Sequence, residues 1–168
     1  MKAFGPRKRL EHQIRVWLGR AYRPAKVHDL GATMFGGAGY GAWPCIANRL
    51  HQDSVVYSVG VGFDTGFDQA LMAQFGLVIH GFDPTPRVIE WLQQNPQPAT
   101  FKFHPLGLAW MDGELSFAAP TRENAVSGTV VPAAVADQET VAVPVSRLST
   151  IMSELGHERL DVLKMDIE

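Results

Sequence analysis

Cysteine is almost absent from the sequence. Cys45 is the single thiol in 168 residues, which excludes an internal disulfide framework and fits a reducing compartment. The six histidines are scattered and Cys45 has no cysteine partner, so no Cys/His spacing of a zinc site is present and no metal is expected. Long apolar runs are lacking too. The longest uncharged stretch, Leu30 to Asn48, is interrupted by Gly31, Gly36, Gly37, Gly39, Gly41 and Pro44, so it reads as loop and not as a membrane span. The N-terminus is basic but has no apolar segment followed by a small-residue cleavage site, so no secretory signal is expected and the expected location is cytoplasmic. No internal repeat is visible.

What is present is an ordinary globular composition, 46% hydrophobic and 19% charged, with room for one domain and a short appendage. The net charge of -2 conceals an asymmetry. Residues 1 to 26 hold eight basic side chains against Glu11 alone, a balance of +7, and the remainder carries -9 from seven basic and sixteen acidic residues. Leu10, Ile14, Trp17, Leu18 and Ala21 recur at helical spacing with arginines opposite. The stretch is therefore expected to be an amphipathic helix with a solvated arginine face. Neither nucleic acid nor membrane is expected as a partner. Residues 1–50 are expected to form this helix and a glycine-rich cover segment, and residues 51–168 the main domain.

Within the main domain apolar strands and helices alternate. Val55 to Val59 is a short buried-type strand, followed by a glycine turn and a helix from about Phe67 to Phe75 that Gly76 terminates. Leu77 to Phe82 is a second strand. Thr85 and Pro86 form an N-cap and first-turn pair opening a helix that ends near Asn95 and Pro96. Thr100 to His104 is a third strand, and Gly107 to Phe117, with its Asp112-Gly113 turn, suggests a hairpin or strand pair. Glu114 to Val143 has no clean period and is expected to be loop, with a strand at Thr140 to Val145. Leu148, Ile151, Met152 and Leu155 mark a helix ended by Gly156, and Leu160 to Met165 is a last strand. This alternation predicts an α/β fold with a parallel sheet.

The glycine turn carries the first functional signal. Gly60 and Gly62 follow a buried strand and precede a helix, where the backbone can approach a ligand without Cβ clash and the helix start offers free amides; a plain tight turn is the alternative. Asp83 stands at the end of the second strand, 23 residues after Gly60, near the spacing of an acid that accepts both ribose hydroxyls. Its alternative role is to cap the helix entered through Thr85 and Pro86. A dinucleotide fingerprint would place a third glycine where this chain has Thr65, with Gly66 one residue later, so pyrophosphate binding is disfavoured over a phosphate-free ligand. His104 is a candidate base near neutral pH, but a histidine before proline is more often a structural hydrogen-bonder. Trp43, Trp91, Trp110 and Cys45 are expected to be packing residues.

Taken together, GVGFD after the first strand, FDPTP after the second, the HPLGLAWMDGELSF block and the closing LDVLKMDIE resemble the FkbM-type methyltransferases. These are a branch of the Rossmann-like, class I S-adenosylmethionine-dependent enzymes, and the resemblance runs from about Tyr40 to Glu168. It implies S-adenosyl-L-methionine as cofactor and O-methylation of a small molecule or sugar. Residue by residue, it implies that Ser58, Gly60, Val61, Gly62 and Asp64 line the methionine end, that Asp83 and Pro84 lie at the ribose, and that Gly107 and Leu108 lie near the adenine. Asp166 and Glu168 match the family's acidic motif beside the reacting methyl, and YGAWPC, Tyr40 to Cys45, resembles a segment that covers the cleft.

The chain departs from the family in three places. Ser58 stands where the family's first strand often has an acid, and Asp64 occupies the third glycine-loop position, where it is a candidate for a polar contact to the cofactor's amino-acid end. The acidic motif also ends at Glu168, where the family continues with glycine, a further acid and more strands. The expectation is a C-terminally incomplete member whose last strand is an open edge and a route to self-association. A nicotinamide-dependent oxidoreductase and a non-catalytic cofactor-binding remnant are the alternative functions. The missing third glycine weighs against the first.

Overall fold

The computed structural model describes residues 11, 14–21, 30–37, 41–118 and 140–167. The chain divides into two compact units, Met1–Gly31 and Ala32–Glu168. In the first, residues 14–17 are helical and the apolar stripe is exposed at Ile14, Trp17 and Leu18. Leu10 lies outside the described residues, as does Tyr40 of the cover segment.

The second unit is built on a four-stranded parallel sheet. Strands β3 (Val56–Val59), β4 (Ile79–Phe82), β5 (Phe101–His104) and β9 (Val162–Met165) lie in the order β5-β4-β3-β9. Each begins one or two residues later than the apolar run that announces it. The chain moves outward from β3 to β4 to β5, then returns to place β9 on the other side of β3. This reversal is a topological switch point, the place where open α/β sheets hold ligands at the carboxyl ends of their strands.

Strand register assigns the side chains to faces, because they alternate along each strand. Val56, Ser58, Ile79, Phe101, Val162 and Lys164 share one face. Its core is closed by Phe67, Leu71 and Met72 of helix α1 (Gly66–Phe75) and by Val88 and Leu92 of helix α2 (Pro86–Gln94). The opposite face presents Tyr57, Val59 and Phe82 to Ile151 of helix α3 (Leu148–Leu155). Helices on both faces make the architecture α/β and compatible with a Rossmann-like fold. Helix ends follow the local chemistry: Gly76 and Gly156 stop α1 and α3 in the left-handed conformation, and Pro86 sits at the first position of α2 after Thr85. No helix among the described residues is long and apolar enough to cross a membrane.

Two small sheets flank this body. Hairpin β1 (Thr33–Phe35) and β2 (Trp43–Cys45) places Phe35 and Cys45 in the core with α1. The Cys45 thiol is free and its pKa is raised by burial. Of the hairpin or strand pair expected within Gly107 to Phe117, two strands form but no hairpin joins them. Strands β6 (Gly107–Leu108) and β7 (Gly113–Ala118) do not pair with each other; β8 (Thr140–Ser146) lies between them, parallel to β6 and antiparallel to β7. The Asp112-Gly113 pair therefore closes no two-strand ladder. Asp112 instead binds the entry of α3, accepting hydrogen bonds from the Arg147 backbone, the Arg147 guanidinium and Thr150. That guanidinium holds the Asp112 carboxyl at about 2. Residues 119–139, most of the stretch expected to be loop, lie outside the described residues.

Candidate functional site

The glycine loop leaves β3 at the switch point. Gly60 and Gly62 both adopt positive φ, 73° and 60°, a region in which a side chain is strained and glycine is not. Gly60 is also crowded: its N–H donates to the Phe82 carbonyl at 2.9 Å, and a methyl group there would collide with the Asp166 carbonyl. Gly62 faces open space, with nothing within 4 Å of where a Cβ would project. One glycine thus lets β3 and β9 approach, and the other leaves a surface free for a ligand.

Asp83 joins this loop to the next one. It is 4% exposed; Oδ2 accepts from the Gly62 N–H at 3.0 Å and Oδ1 from the Thr85 N–H at 2.9 Å. The contact to the Thr85 amide is the one expected of an acid before the helix, and the carboxylate cross-links the glycine turn to the start of α2 while keeping further lone pairs for donors. Pro84 follows it, and its ring lies 3.1 Å from where a Cβ of Gly107 would stand, so the loops after β3, β4 and β5 converge. Leu108 packs in the cluster of Tyr57, Phe82 and Ile151.

The remaining residues fall into place around this centre. Asp166 leaves β9 beside Gly60, tied by its N–H to the Val59 carbonyl at 3.0 Å. Val61 is buried in the core. Asp64 is exposed at the start of α1, where Oδ1 accepts from the Gly66 N–H at 2.7 Å and the side chain abuts Gly41 of the hairpin segment. Glu168 lies outside the described residues. Among the described residues, no group of three or more Asp, Glu, His or Cys side chains is disposed to hold a metal ion.

The floor under the loop holds groups that spacing did not reveal. Ser58 is fully buried and Asp68, in the first turn of α1, is 1% exposed. Neither the serine hydroxyl nor either carboxylate oxygen has a hydrogen-bond partner. Burial lifts the Asp68 carboxyl to about 6, against the opposing pull of the nearby Ser58 hydroxyl and Lys164 ammonium. Lys164, on β9, is 8% exposed; its Nζ donates to the Gly60 carbonyl at 3.1 Å and lies 5.4 Å from the Trp43 ring. The visible signal was a lysine inside an otherwise apolar strand run, in register with Ser58.

On the other sheet face, His80 and His104 stack and approach at 3.0 Å, and the Tyr57 hydroxyl meets His157 at 2.8 Å. Burial and then its histidine neighbours push His80 down to about 4, and burial lowers His104. His104 thus belongs to an aromatic cluster against Phe82, away from the glycine loop.

With this geometry in place, comparison with known proteins gives a limited but directed result. The chain is similar to Probable methyltransferase-like protein 24 of Rattus norvegicus, 30% identical over 113 residues that make up 67% of this chain and 25% of that protein. It is 28% identical to the Homo sapiens protein of the same name over the same shares. The chain thus spans about a quarter of the length of the curated relatives it matches. No family model matches the sequence, and no solved structure matches it.

Proposed function

We propose that this chain carries the cofactor-binding part of an S-adenosylmethionine-dependent methyltransferase of the Rossmann-like, FkbM-type class, acting on an oxygen of a small molecule or sugar. The observation that carries the proposal is the loop at the switch point, with Gly62 open toward solvent and its amide held by the buried Asp83 carboxylate. The named relatives support methyl transfer as the chemistry.

The residues fit such a cofactor. Gly62 provides a surface that a Cβ would fill, Asp83 retains acceptor capacity for ribose hydroxyls, and the buried polar atoms of Ser58 and Asp68 have no partner within the protein. When bound, the cofactor supplies a sulfonium methyl already activated for transfer. The protein's task is to align an acceptor oxygen and help remove its proton. Asp166, beside Gly60 at the end of β9, is the proposed residue of that neighbourhood, with Glu168 following it.

A nicotinamide cofactor is the competing reading, and one observation disfavours it. Where a dinucleotide fold needs a third glycine for close helix approach, Thr65 is buried and donates to the Gln97 amide oxygen at 2.9 Å while accepting from Gln69 at 3.0 Å. Titration calorimetry with S-adenosylhomocysteine and with NAD separates the two. The proposal expects heat of binding from the first alone, and binding of NAD in preference would overturn it.

A further inference from the structure

The end of α2 and the chain after it read Gln94, Asn95, Pro96, Gln97, Pro98, a run of amides broken by two residues that cannot extend a helix. Asn95 closes α2, its backbone N–H and its side-chain amide both donating to the Trp91 carbonyl, at 2.9 and 2.8 Å. Gln97 then reaches across to α1. Its Oε1 accepts from the buried Thr65 hydroxyl at 2.9 Å and from Gln69 Nε2 at 3.0 Å, and its Nε2 donates to the Asn95 carbonyl at 2.7 Å. Between the two helices lies an open groove of about 550 Å³, within the size of small-molecule sites, roughly 300–1,000 Å³. Gly60, Gly62, Asp83 and Asp166 do not line it.

Amides and aromatic rings dominate the lining. Gln69 Nε2 directs its N–H groups to Thr65 and Gln97, which leaves the Gln69 carbonyl oxygen as a held acceptor, and Gln97 keeps one N–H as a donor. Gln94 is exposed and adds an adaptable amide. One wall is aromatic: the Phe63 and Trp91 rings stand 6.0 Å apart at 53°. Among the described residues Asp64 is the single charged side chain along the groove; Arg87 lies 5.8 Å from the Phe63 ring but does not line it. An anion would therefore meet a carboxylate and no cation. An apolar ligand would strip water from the amides without replacing their hydrogen bonds. A neutral ligand with apolar C–H faces and hydroxyls that both donate and accept satisfies the rings and the amides together. We propose that the groove between α1 and α2 is a binding site for a neutral saccharide, separate from the ligand surface at Gly62 and Asp83. The site needs no cofactor, so it stands or falls apart from the methyltransferase reading.

The test is saturation-transfer NMR with calorimetry on the full chain, using maltose, lactose and cellobiose as neutral probes and glucuronate as an anionic counterpart. At least one neutral sugar should receive saturation at its ring C–H protons and bind with a Kd on the order of 1 mM, and glucuronate should bind more weakly. Trp91→Leu should weaken that sugar about tenfold by removing a ring wall. Gln69→Ala, at an exposed position and with the Thr65–Gln97 bond left in place, should weaken it about fivefold, and Gln94→Ala about twofold. Should Trp91→Leu fail to fold, the two glutamine variants carry the test. Saturating S-adenosylhomocysteine should leave the sugar affinity unchanged. Transfer to none of the three sugars would overturn the proposal, as would wild-type sugar affinity in both glutamine variants or tighter binding of glucuronate. Displacement of the sugar by S-adenosylhomocysteine would also overturn it, by giving the groove to the cofactor. A chain that binds sugar in this groove but no S-adenosylhomocysteine would defeat the cofactor reading alone.

Discussion

Asp83 illustrates how much and how little a spacing reveals. Its distance from Gly60 marked it as a ligand acid and its place before Thr85 as a cap; the structure shows the contact to the Thr85 amide and adds one to the Gly62 amide that neither reading foresaw. Asp83→Ala should weaken S-adenosylhomocysteine binding by about 2–4 kcal/mol, because it removes a charged acceptor and frees the Gly62 amide; unchanged affinity in a folded variant would remove Asp83 from the site. Asp68 was not legible, since an acid in the first turn of a helix ordinarily signals only a favourable dipole contact. Its burial has a testable consequence. The folded-state pKa of about 6 stands above the ordinary carboxyl value of 3.8, so the native state takes up a proton that the unfolded chain does not, and stability falls as pH rises through that window. The cost at pH 7 is about 3 kcal/mol. His80 acts in the opposite sense: its pKa is lowered from 6.5 to about 4, so its contribution is lost as pH falls through that range. Urea titrations should therefore find Asp68→Asn more stable than wild type at pH 7 and more steeply destabilised by acid. A variant less stable at pH 7 would show that the carboxylate is compensated in the fold.

At the scale of elements, the strands of the parallel sheet were legible because strands buried on both faces leave continuous apolar runs. The flanking sheet was not legible. Its pairing places β8 between β6 and β7, and a contact across so long a separation leaves no local turn signature. Hairpin β1–β2 was hidden for a related reason: its glycines read as loop, although Gly41 packs against Asp64 at the start of α1. The glycine loop itself divides into two roles that substitution separates. Gly60→Ala should destabilise the fold strongly, since its methyl collides with the Asp166 carbonyl and would part β3 from β9. Gly62→Ala meets only open space, so it should cost roughly 1–2 kcal/mol for its left-handed backbone while sharply weakening cofactor binding. Thermal melts beside calorimetry check both; a Gly62→Ala protein that binds as the wild type does would make the loop a plain turn.

For the whole molecule, the switch point organises the cofactor site: the loops after β3, β4 and β5 converge, the end of β9 lies against Gly60, and the buried charges lie beneath them. Among the described residues β9 is hydrogen-bonded to β3 alone, and Leu163 and Met165 on it and Ile167 just after it are exposed. An apolar strand with an open edge invites pairing. We expect the 168-residue chain to self-associate, with Met165→Lys restoring the monomer, as read by size-exclusion chromatography with light scattering; a concentration-independent wild-type monomer would contradict this. The central claim is that the loop at the switch point binds S-adenosylmethionine. The most direct measurement is calorimetric titration of the wild-type chain with S-adenosylhomocysteine, with Asp83→Ala and NAD as controls. Saturable binding of S-adenosylhomocysteine that is weakened in Asp83→Ala, with no heat from NAD, is the predicted result, and binding of NAD with none of S-adenosylhomocysteine would contradict the account.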